Sequence, residues 1–502
     1  MLPVIATFAL VKNEVLPEEI WPTIQVLEVA MLAAFLVLWL CLRNPLKAGI
    51  VCSAGLAMCF CYRMIACAVD NLYQVCSGAA AAPAWVLLTG YFAMTIIFLA
   101  FTTKEKWKFG KHEFTLPLKQ FNNALNVVSF VLIILNVVPI CIYEYQVSED
   151  AKKFVAQFET NLGKFDLDQN APKPDIYYFI FDGMANPLTL KDLTGYEDKE
   201  FIPFLKAKGF YVVPHAASNY DRTEFSITSS TNMQYVDLIP QTRGADFNGL
   251  VVYFRAIQDS CVPRILKRLG YKFVCVASGS PPSDYIPNAD VNLRCIPFNH
   301  FSIVVALLTP LAATETYYPL LTHLLGDLRL CPGHCLDQIL SIKGPKFVLI
   351  HTDLAHAPNI FDENGNVRTM PLSWFLIAWG PPDQYVSQWI YAQRQATSWL
   401  AKILDHPGPK PIILVQSDHG PGIDMKEHHK WNQQRMRILN AYYFPGLQNK
   451  GLYESITPVN SFRVLFNDYF HAGLPILQDR VNGSDDYAHP YPWKDITKEM
   501  TF

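Results

Sequence analysis

Asp175-Ile-Tyr-Tyr-Phe-Ile-Phe181-Asp182-Gly183 is an unbroken run of β-branched and aromatic residues closed by an acid and a glycine. Such a run, short and bounded by turn residues, predicts a strand buried on both faces. The same signature returns downstream. Lys346–His351 (KFVLIH) and Ile412–Gln416 (IILVQ) are two more runs, the second ending in Ser417-Asp418-His419-Gly420. Helical segments alternate with them. Lys199–Lys208 is closed by Gly209 before the strand Phe210–Val213, and Pro263–Leu269 is closed by Gly270 before Lys272–Ala277; glycine ends helices because it accepts the left-handed conformation. Val386, Trp389, Ile390, Trp399, Leu400, Ile403 and Leu404 fall mostly on one helical face, and His406-Pro-Gly-Pro-Lys-Pro411 then breaks the chain. This alternation predicts an α/β domain with a largely parallel sheet flanked by helices. Ligands of such sheets bind beyond the carboxyl ends of the strands, and Asp182, Asp418 and His419 all follow closely on a predicted strand.

Working outward, the composition is that of two different materials. The 502 residues are 51% hydrophobic and 17% charged, against about 25% charge in soluble domains, which excludes a wholly soluble or disordered chain. From Met1 to Thr103 the charged side chains are Lys12, Glu14, Glu18, Glu19, Glu28, Arg43, Lys47, Arg63 and Asp70, whereas charge density beyond Glu144 is ordinary. A helix crosses the hydrocarbon layer with about 20 apolar residues, and four windows qualify: Ile24–Leu42, Ala48–Ala68, Ala84–Phe101 and Ala124–Tyr143. Leu2–Val11 is too short to cross alone and reads as a helix stub or an interfacial segment. Arg43 and Lys47 lie in one loop and Lys104, Lys106, Lys108, Lys111 and Lys119 in another, while Asp70–Pro83 has neither Lys nor Arg. Basic loops stay cytoplasmic, so the domain after the fourth helix is expected outside. The expected organisation is a transmembrane helical anchor over 1–147, a stalk and linker over 148–172, and the α/β domain over 173–502. A net charge of −3 gives no basic surface for nucleic acid.

Two carboxylates and an imidazole at one rim suit a single divalent cation, with Mg, Mn or Zn all compatible with that donor set. Ser218–Asn232 has the layout of a loop entering a helix, with Thr223 at its start and Glu224 in the first turn. Two readings of Thr223 stand: an N-cap, or a nucleophile whose incoming phosphate is stabilised by the helix N–H groups. Cys331 and Cys335, separated by Pro-Gly-His in a loop, are a candidate bridge in an oxidising compartment; zinc needs more ligands than this pair and His334 provide.

Over roughly Pro174–Arg480 the motifs, in order, are Asp182-Gly183, the helix with Gly209-Phe210, Asn219-Tyr-Asp-Arg-Thr223, His351-x4-His356-x-Pro358, Ser417-Asp418-His419-Gly420 and Arg435-Met-Arg437-Ile-Leu-Asn-Ala-Tyr-Tyr-Phe-Pro445. In this the domain resembles the sulfatase-like branch of the alkaline phosphatase superfamily, particularly its membrane-anchored phosphoethanolamine and phosphoglycerol transferases. The resemblance implies that Asp182, Thr223, Asp418 and His419 hold one metal, and that Thr223 attacks phosphorus to give a phospho-threonine. It also implies that His356 serves the leaving group, with His356, Asn219 and Arg435 as substrate contacts; a solvated loop role for His356 and surface pairing for Arg435 or Arg437 remain alternatives. His428 and His429 read as a solvated turn. Thr223 is followed by Glu-Phe-Ser226, not by the Cys-x-Pro-x-Arg context in which sulfatases build their aldehyde. The expectation is a transferase in a bacterial cytoplasmic (inner) membrane, with its catalytic domain on the periplasmic or extracellular side. It would move a phospholipid head group to a glycan or lipid-linked acceptor. Its rivals are a phosphodiesterase or sulfatase-type hydrolase and an inactive membrane scaffold.

Overall fold

A computed structural model describes residues 2–12, 14–77, 83–103, 106–109, 112–115, 117–237, 249–314, 320–368, 379–423, 428–447, 450–484 and 493–500. The chain forms two compact units. One comprises Met1–Glu144 together with Phe298–Thr322; the other comprises Tyr145–Pro297, His323–Arg368 and the chain from Ser373.

The first unit is mainly helical, with a short antiparallel strand pair, Lys106–Phe109 with His112–Thr115. Its helices include α1 (Leu2–Val11), α2 (Ile20–Leu42), α3 (Pro45–Phe60), α4 (Tyr62–Ser77), α5 (Ala84–Thr103) and the first part of α6 (Leu118–Leu162). Asn44 caps α3 by accepting from the N–H groups of Leu46 and Lys47 at 3.0 and 3.1 Å, with Pro45 in the first turn, where a missing N–H costs nothing. Val29, Leu32, Val37 and Leu40 of α2, with Val127, Phe130 and Leu135 of α6, face outward. Apolar surface of this extent is a liability in water and the required surface in lipid, where the helix satisfies its own backbone.

Among the described residues, two helices are long and apolar enough to cross a membrane, Pro17–Leu42 and Leu118–Leu162. They contain the first and fourth expected windows. The second window is not one straight helix: α3 and α4 meet at a 55° bend. The half beyond the bend carries Arg63, Asp70 and Gln74, the last donating to Asp70 at 2.8 Å; taken together the two halves are long and apolar enough for one broken span. The third window contains a shorter apolar stretch, Trp85–Phe98. The Leu2–Val11 stub is a helix whose Val4 and Phe8 are fully buried against Ile24, Phe301 and Val305. Phe301 and Val305 belong to α8 (His300–Leu307), a helix far downstream in sequence that Asn299 caps.

The second unit is built on a seven-stranded sheet: β1 (Ile176–Phe181), β2 (Tyr211–Val212), β3 (Lys272–Val276), β4 (Val291–Leu293), β5 (Lys346–Thr352), β6 (Ile412–Gln416) and β7 (Asn440–Tyr443), in the order β2-β7-β6-β1-β5-β3-β4. The five strands from β6 to β4 are parallel, and β7 and β2 extend the sheet antiparallel. All of β1, β5 and β6 is buried, which is why they read as continuous hydrophobic runs. Burial of each large apolar side chain there stabilises the fold by about 1.5–3 kcal/mol.

Helices flank the sheet. In the second unit, the part of α6 after Glu144 buries Val147, Ala151, Phe154, Val155, Phe158 and Leu162, a stripe at three- and four-residue spacing. α10 (Pro382–Asp405) buries Tyr385, Trp389, Ala392, Ala396, Trp399, Leu400 and Ile403 on one face. Cys331 and Cys335 do not lie in a loop. They occupy the first turns of α9 (Cys331–Ser341), as free thiols with sulfurs 3.7 Å apart; Pro332 is accommodated there because the first turn needs no N–H.

The central strands β6, β1 and β5 are neighbours and run the same way, with Ile176 paired to both Phe347 and Ile412. Their carboxyl ends therefore lie side by side. Asp182, the Asp418-His419 pair and the His351–Asp353 segment meet at one rim.

Candidate active site

At the end of β1 the Asp182 N–H donates to Thr352 O at 3.0 Å, and the chain turns sharply at Gly183. Gly183 has φ +68°, and a Cβ there would lie 2.5 Å from the Trp379 ring, so both backbone angle and space require glycine. At the end of β6, Asp418 Oδ1 accepts from Gly183 N at 3.2 Å and from His419 N at 2.8 Å. That fixes the carboxylate with its other oxygen turned into the site. Gly420 lies so close to the following segment that a Cβ would meet Gln434 O at 2.0 Å.

Thr223 is supplied by α7 (Thr223–Asn232). It is not the N-cap. Arg222 holds that position with extended angles, φ −134° and ψ 148°, and Thr223 is the first helical residue. Its hydroxyl therefore caps nothing and instead donates to Asp182 Oδ2 at 3.2 Å, lying 3.1 Å from His419 Nε2. His419 Nδ1 is 3.0 Å from Gly420 O, to which it donates as N–H. This leaves Nε2 as the acceptor facing Thr223, 3.4 Å from both Asp182 Oδ1 and Asp418 Oδ2. A backbone carbonyl that sets the tautomer in this way is a usual support for a metal-binding imidazole.

His351, the penultimate residue of β5, joins the site although the sequence reading gave it no role. Its Nδ1 is 2.6 Å from Ser283 Oγ and its Nε2 is 3.4 Å from Asp182 Oδ2. The one signal in sequence was a histidine at the end of an otherwise apolar strand. His356 lies beyond β5, about one-third exposed, with Nε2 3.7 Å from Asp182 Oδ1. Its ring packs edge-on to Trp379 at 4.5 Å, and Nδ1 is 2.7 Å from Ala357 O.

Arg435 is buried beside His419, on its site-facing nitrogen. Its guanidinium donates to Asp221 O at 2.7 Å and Gly420 O at 2.8 Å, and lies 2.9 Å from His419 Nε2. Arg437 instead pairs with Asp192 at 2.6 Å. Asn219 does not reach the site as a substrate contact. Its amide donates to Thr457 Oγ1 and Arg480 O, both at 2.9 Å, and accepts from Val459 N at 2.8 Å; a fully buried amide so engaged holds the loop before α7 in place. The side chains of His428 and His429 lie outside the described residues.

Electrostatics separate the two acids. Burial raises a carboxyl, yet the surrounding His356, His419 and His351 hold Asp182 well below the usual carboxylate range. Burial, then the negative charge of Asp182, pushes Asp418 up to about 7. Burial would lower His351, but Asp182 outweighs it and raises the imidazole to about 9. Burial and then Arg435 drive His419 well below its ordinary value, so it is neutral.

Asp182 Oδ1, Asp418 Oδ2 and His351 Nε2 are buried with no hydrogen-bond partner. Orphaned polar atoms of this kind are costly unless something else binds them. Two donor groups converge to within 4.8 Å, Asp182 with His356 and His419, and Asp182 with His351 and Asp418. The residues at the rim thus fit a divalent cation, with Asp182 common to both groups.

No protein-family model matches the chain, and no curated protein matches it by sequence. Solved structures do resemble it. The integral membrane lipooligosaccharide phosphoethanolamine transferase A (EptA) of Neisseria meningitidis is similar over 93% of this chain and 95% of its own, at 12% identity and a TM-score of 0.39. The periplasmic domain of EcEptC from Escherichia coli, in complex with Zn, matches over 66% of this chain and 95% of its own, at 11% identity and a TM-score of 0.43. The lipoteichoic acid synthase LtaP of Listeria monocytogenes matches over 67% and 85%, at 12% identity and a TM-score of 0.38. At these identities and TM-scores the site's own residues, not the likeness, carry the functional conclusion.

Proposed function

We propose that the chain is a membrane-bound, metal-dependent phospho-group transferase of the sulfatase-like branch of the alkaline phosphatase superfamily. It takes a phosphoethanolamine or phosphoglycerol head group from a phospholipid and passes it to a glycan or lipid-linked acceptor. The observation that carries this reading is the Thr223 hydroxyl at the first position of α7, in contact with Asp182 and His419. A hydroxyl in that place is next to the unpaired N–H groups of the helix start, which favour a phosphate.

Asp182, Asp418 and His419, with Thr223 Oγ, would hold the metal, which when bound supplies Lewis acidity and lowers the cost of the threonine alkoxide. Thr223 Oγ forms the new bond to phosphorus as the bond to the diacylglycerol oxygen breaks. With Nδ1–H held by Ala357 O, Nε2 faces the site; the imidazolium form of His356 gives its Nε2 proton to that oxygen and is left neutral. The acceptor hydroxyl then attacks the phospho-threonine, loses its proton to the same Nε2, and frees Thr223. Arg435 keeps His419 neutral and reaches the same Nε2 lone pair, which would pass to the metal when it binds. The apolar helices keep the reaction at a bilayer of the cytoplasmic membrane, with the catalytic unit on its outer side.

Full-length protein and its Thr223→Ala variant, incubated with head-group-labelled phospholipid and analysed by mass spectrometry, test the reading. Wild type should acquire the head-group mass on the Thr223 peptide and the variant should not. Undiminished transfer by the variant would overturn the nucleophile.

A further inference from the structure

Helix α9 begins beside the loop that follows the edge strand β4, and three thiols meet there. The Cys295 N–H donates to Cys331 Sγ at 3.1 Å, and the Cys295 thiol donates to Asp327 O at 3.5 Å. On its other side Cys331 Sγ is 3.7 Å from Cys335 Sγ. Cys331 is therefore the shared partner of two candidate bridges, and the backbone chooses between them. Cys331 and Cys335 are four residues apart on one helix, where Cβ atoms stand about 5–6 Å apart. A disulfide needs about 3.5–4.5 Å between its Cβ atoms, so that pair cannot close while the helix is intact. Cys295 is outside any helix or strand and can rotate onto Cys331.

We propose that Cys295 and Cys331 form a disulfide, leaving Cys335 as a free thiol. In the cell this rests on the outward placement of the catalytic unit given above, because such bridges persist in oxidising compartments. Cys295 is the partly exposed member, whereas Cys331 is fully buried and Cys335 nearly so, so Cys295 is the thiol an oxidant reaches. Its thiolate attacks a protein or small-molecule disulfide, releasing one thiol of that oxidant and leaving a mixed disulfide. The Cys331 sulfur then displaces the second thiol, so two protons and two electrons pass from the cysteine pair to the oxidant. A metal is a poorer occupant. Among the described residues the donor groups that converge to within 4.8 Å are those around Asp182, and this sulfur cluster is not one of them. The bridge pins the loop after β4, which is three residues long and at the sheet edge, to the helix that leads into β5.

The test is peptide mapping under non-reducing conditions, on full-length protein alkylated in the membrane and on purified reduced protein treated with oxidised glutathione. A Cys295–Cys331 linked peptide with alkylated Cys335 is the expected result in both. A Cys331–Cys335 linkage, or three free thiols after glutathione treatment, would overturn the pairing. A linkage formed with glutathione but absent in the membrane sample would overturn the bridge in the cell, while Thr223 labelling by phospholipid would still report separately on the transferase. Reduction should also lower the thermal midpoint of wild type and leave Cys295→Ser unchanged; an equal shift in both would remove this bridge as its cause.

Discussion

Helix α2 and strand β1 are both apolar in sequence, and the protein uses them in opposite ways. α2 turns Leu32, Leu36, Val37 and Leu40 outward, whereas every residue of β1 is buried. Hydropathy thus marks the side chains that leave water without saying whether lipid or protein replaces it. Helix α7 inverts the rule again: it buries Ser226, Thr228, Ser229, Ser230, Thr231 and Asn232. Thr228 and Thr231 donate to the carbonyls of Glu224 and Ile227, each at 2.6 Å, and Asn232 to that of Thr228 at 2.9 Å. A polar helix can be buried when its own backbone accepts its side chains, and here that places Thr223 beside two sheet ends.

The sharpest way to break the contrast between the rim and its scaffold is to remove rim chemistry without touching packing. Asp182→Asn should lower kcat/KM for head-group transfer by about 10³-fold or more, as loss of a group acting in a catalytic unit does. It should reduce bound metal measured by elemental analysis, with the thermal midpoint little changed. The scaffold should respond the other way. Phe179→Ala, in the middle of β1, should destabilise the second unit by about 3–5 kcal/mol, seen in thermal unfolding. Leu36→Arg on the outward face of α2 should cost about 2.5–3.5 kcal/mol at the centre of a span, measured in a membrane-insertion assay; no cost would mean this face does not meet lipid.

Between scaffold and rim stands Tyr385, whose hydroxyl accepts from Ala185 N and donates to Gly183 O, both at 2.8 Å. Tyr385→Phe orphans a buried N–H and should cost about 1–3 kcal/mol while also slowing transfer. The smallest effect is expected at the surface: Lys267→Ala, which removes a partly exposed pair with Asp290, should change stability by about 0–1 kcal/mol.

The strands around the site were legible because each is a continuous apolar run, and the acids were legible because each stands within two residues of a strand end. Thr223 was visible only as the start of a helix. Its move from cap to first helical residue depends on the extended angles of Arg222, which no local propensity dictates. The role of His351 is not legible in the sequence, since a histidine inside an apolar strand carries no sign of what faces it. Asn219 is a substrate contact only by what the resemblance implies, and in the structure its amide is engaged by Thr457, Arg480 and Val459. The bend between α3 and α4 was hidden because hydropathy averaged over a window does not register a break at one residue.

By itself the sequence determined which segments leave water and which residues stand at the ends of strands, because periodicity and turn chemistry are properties of neighbours along the chain. Only the tertiary structure decided that β6, β1 and β5 are adjacent, that Asp182 therefore faces Asp418, His419 and His351 at once, and that Cys331 has Cys295 as well as Cys335 within reach. Those are contacts between residues far apart in the chain. They are set by strand pairing and helix packing, whose energies no local pattern contains.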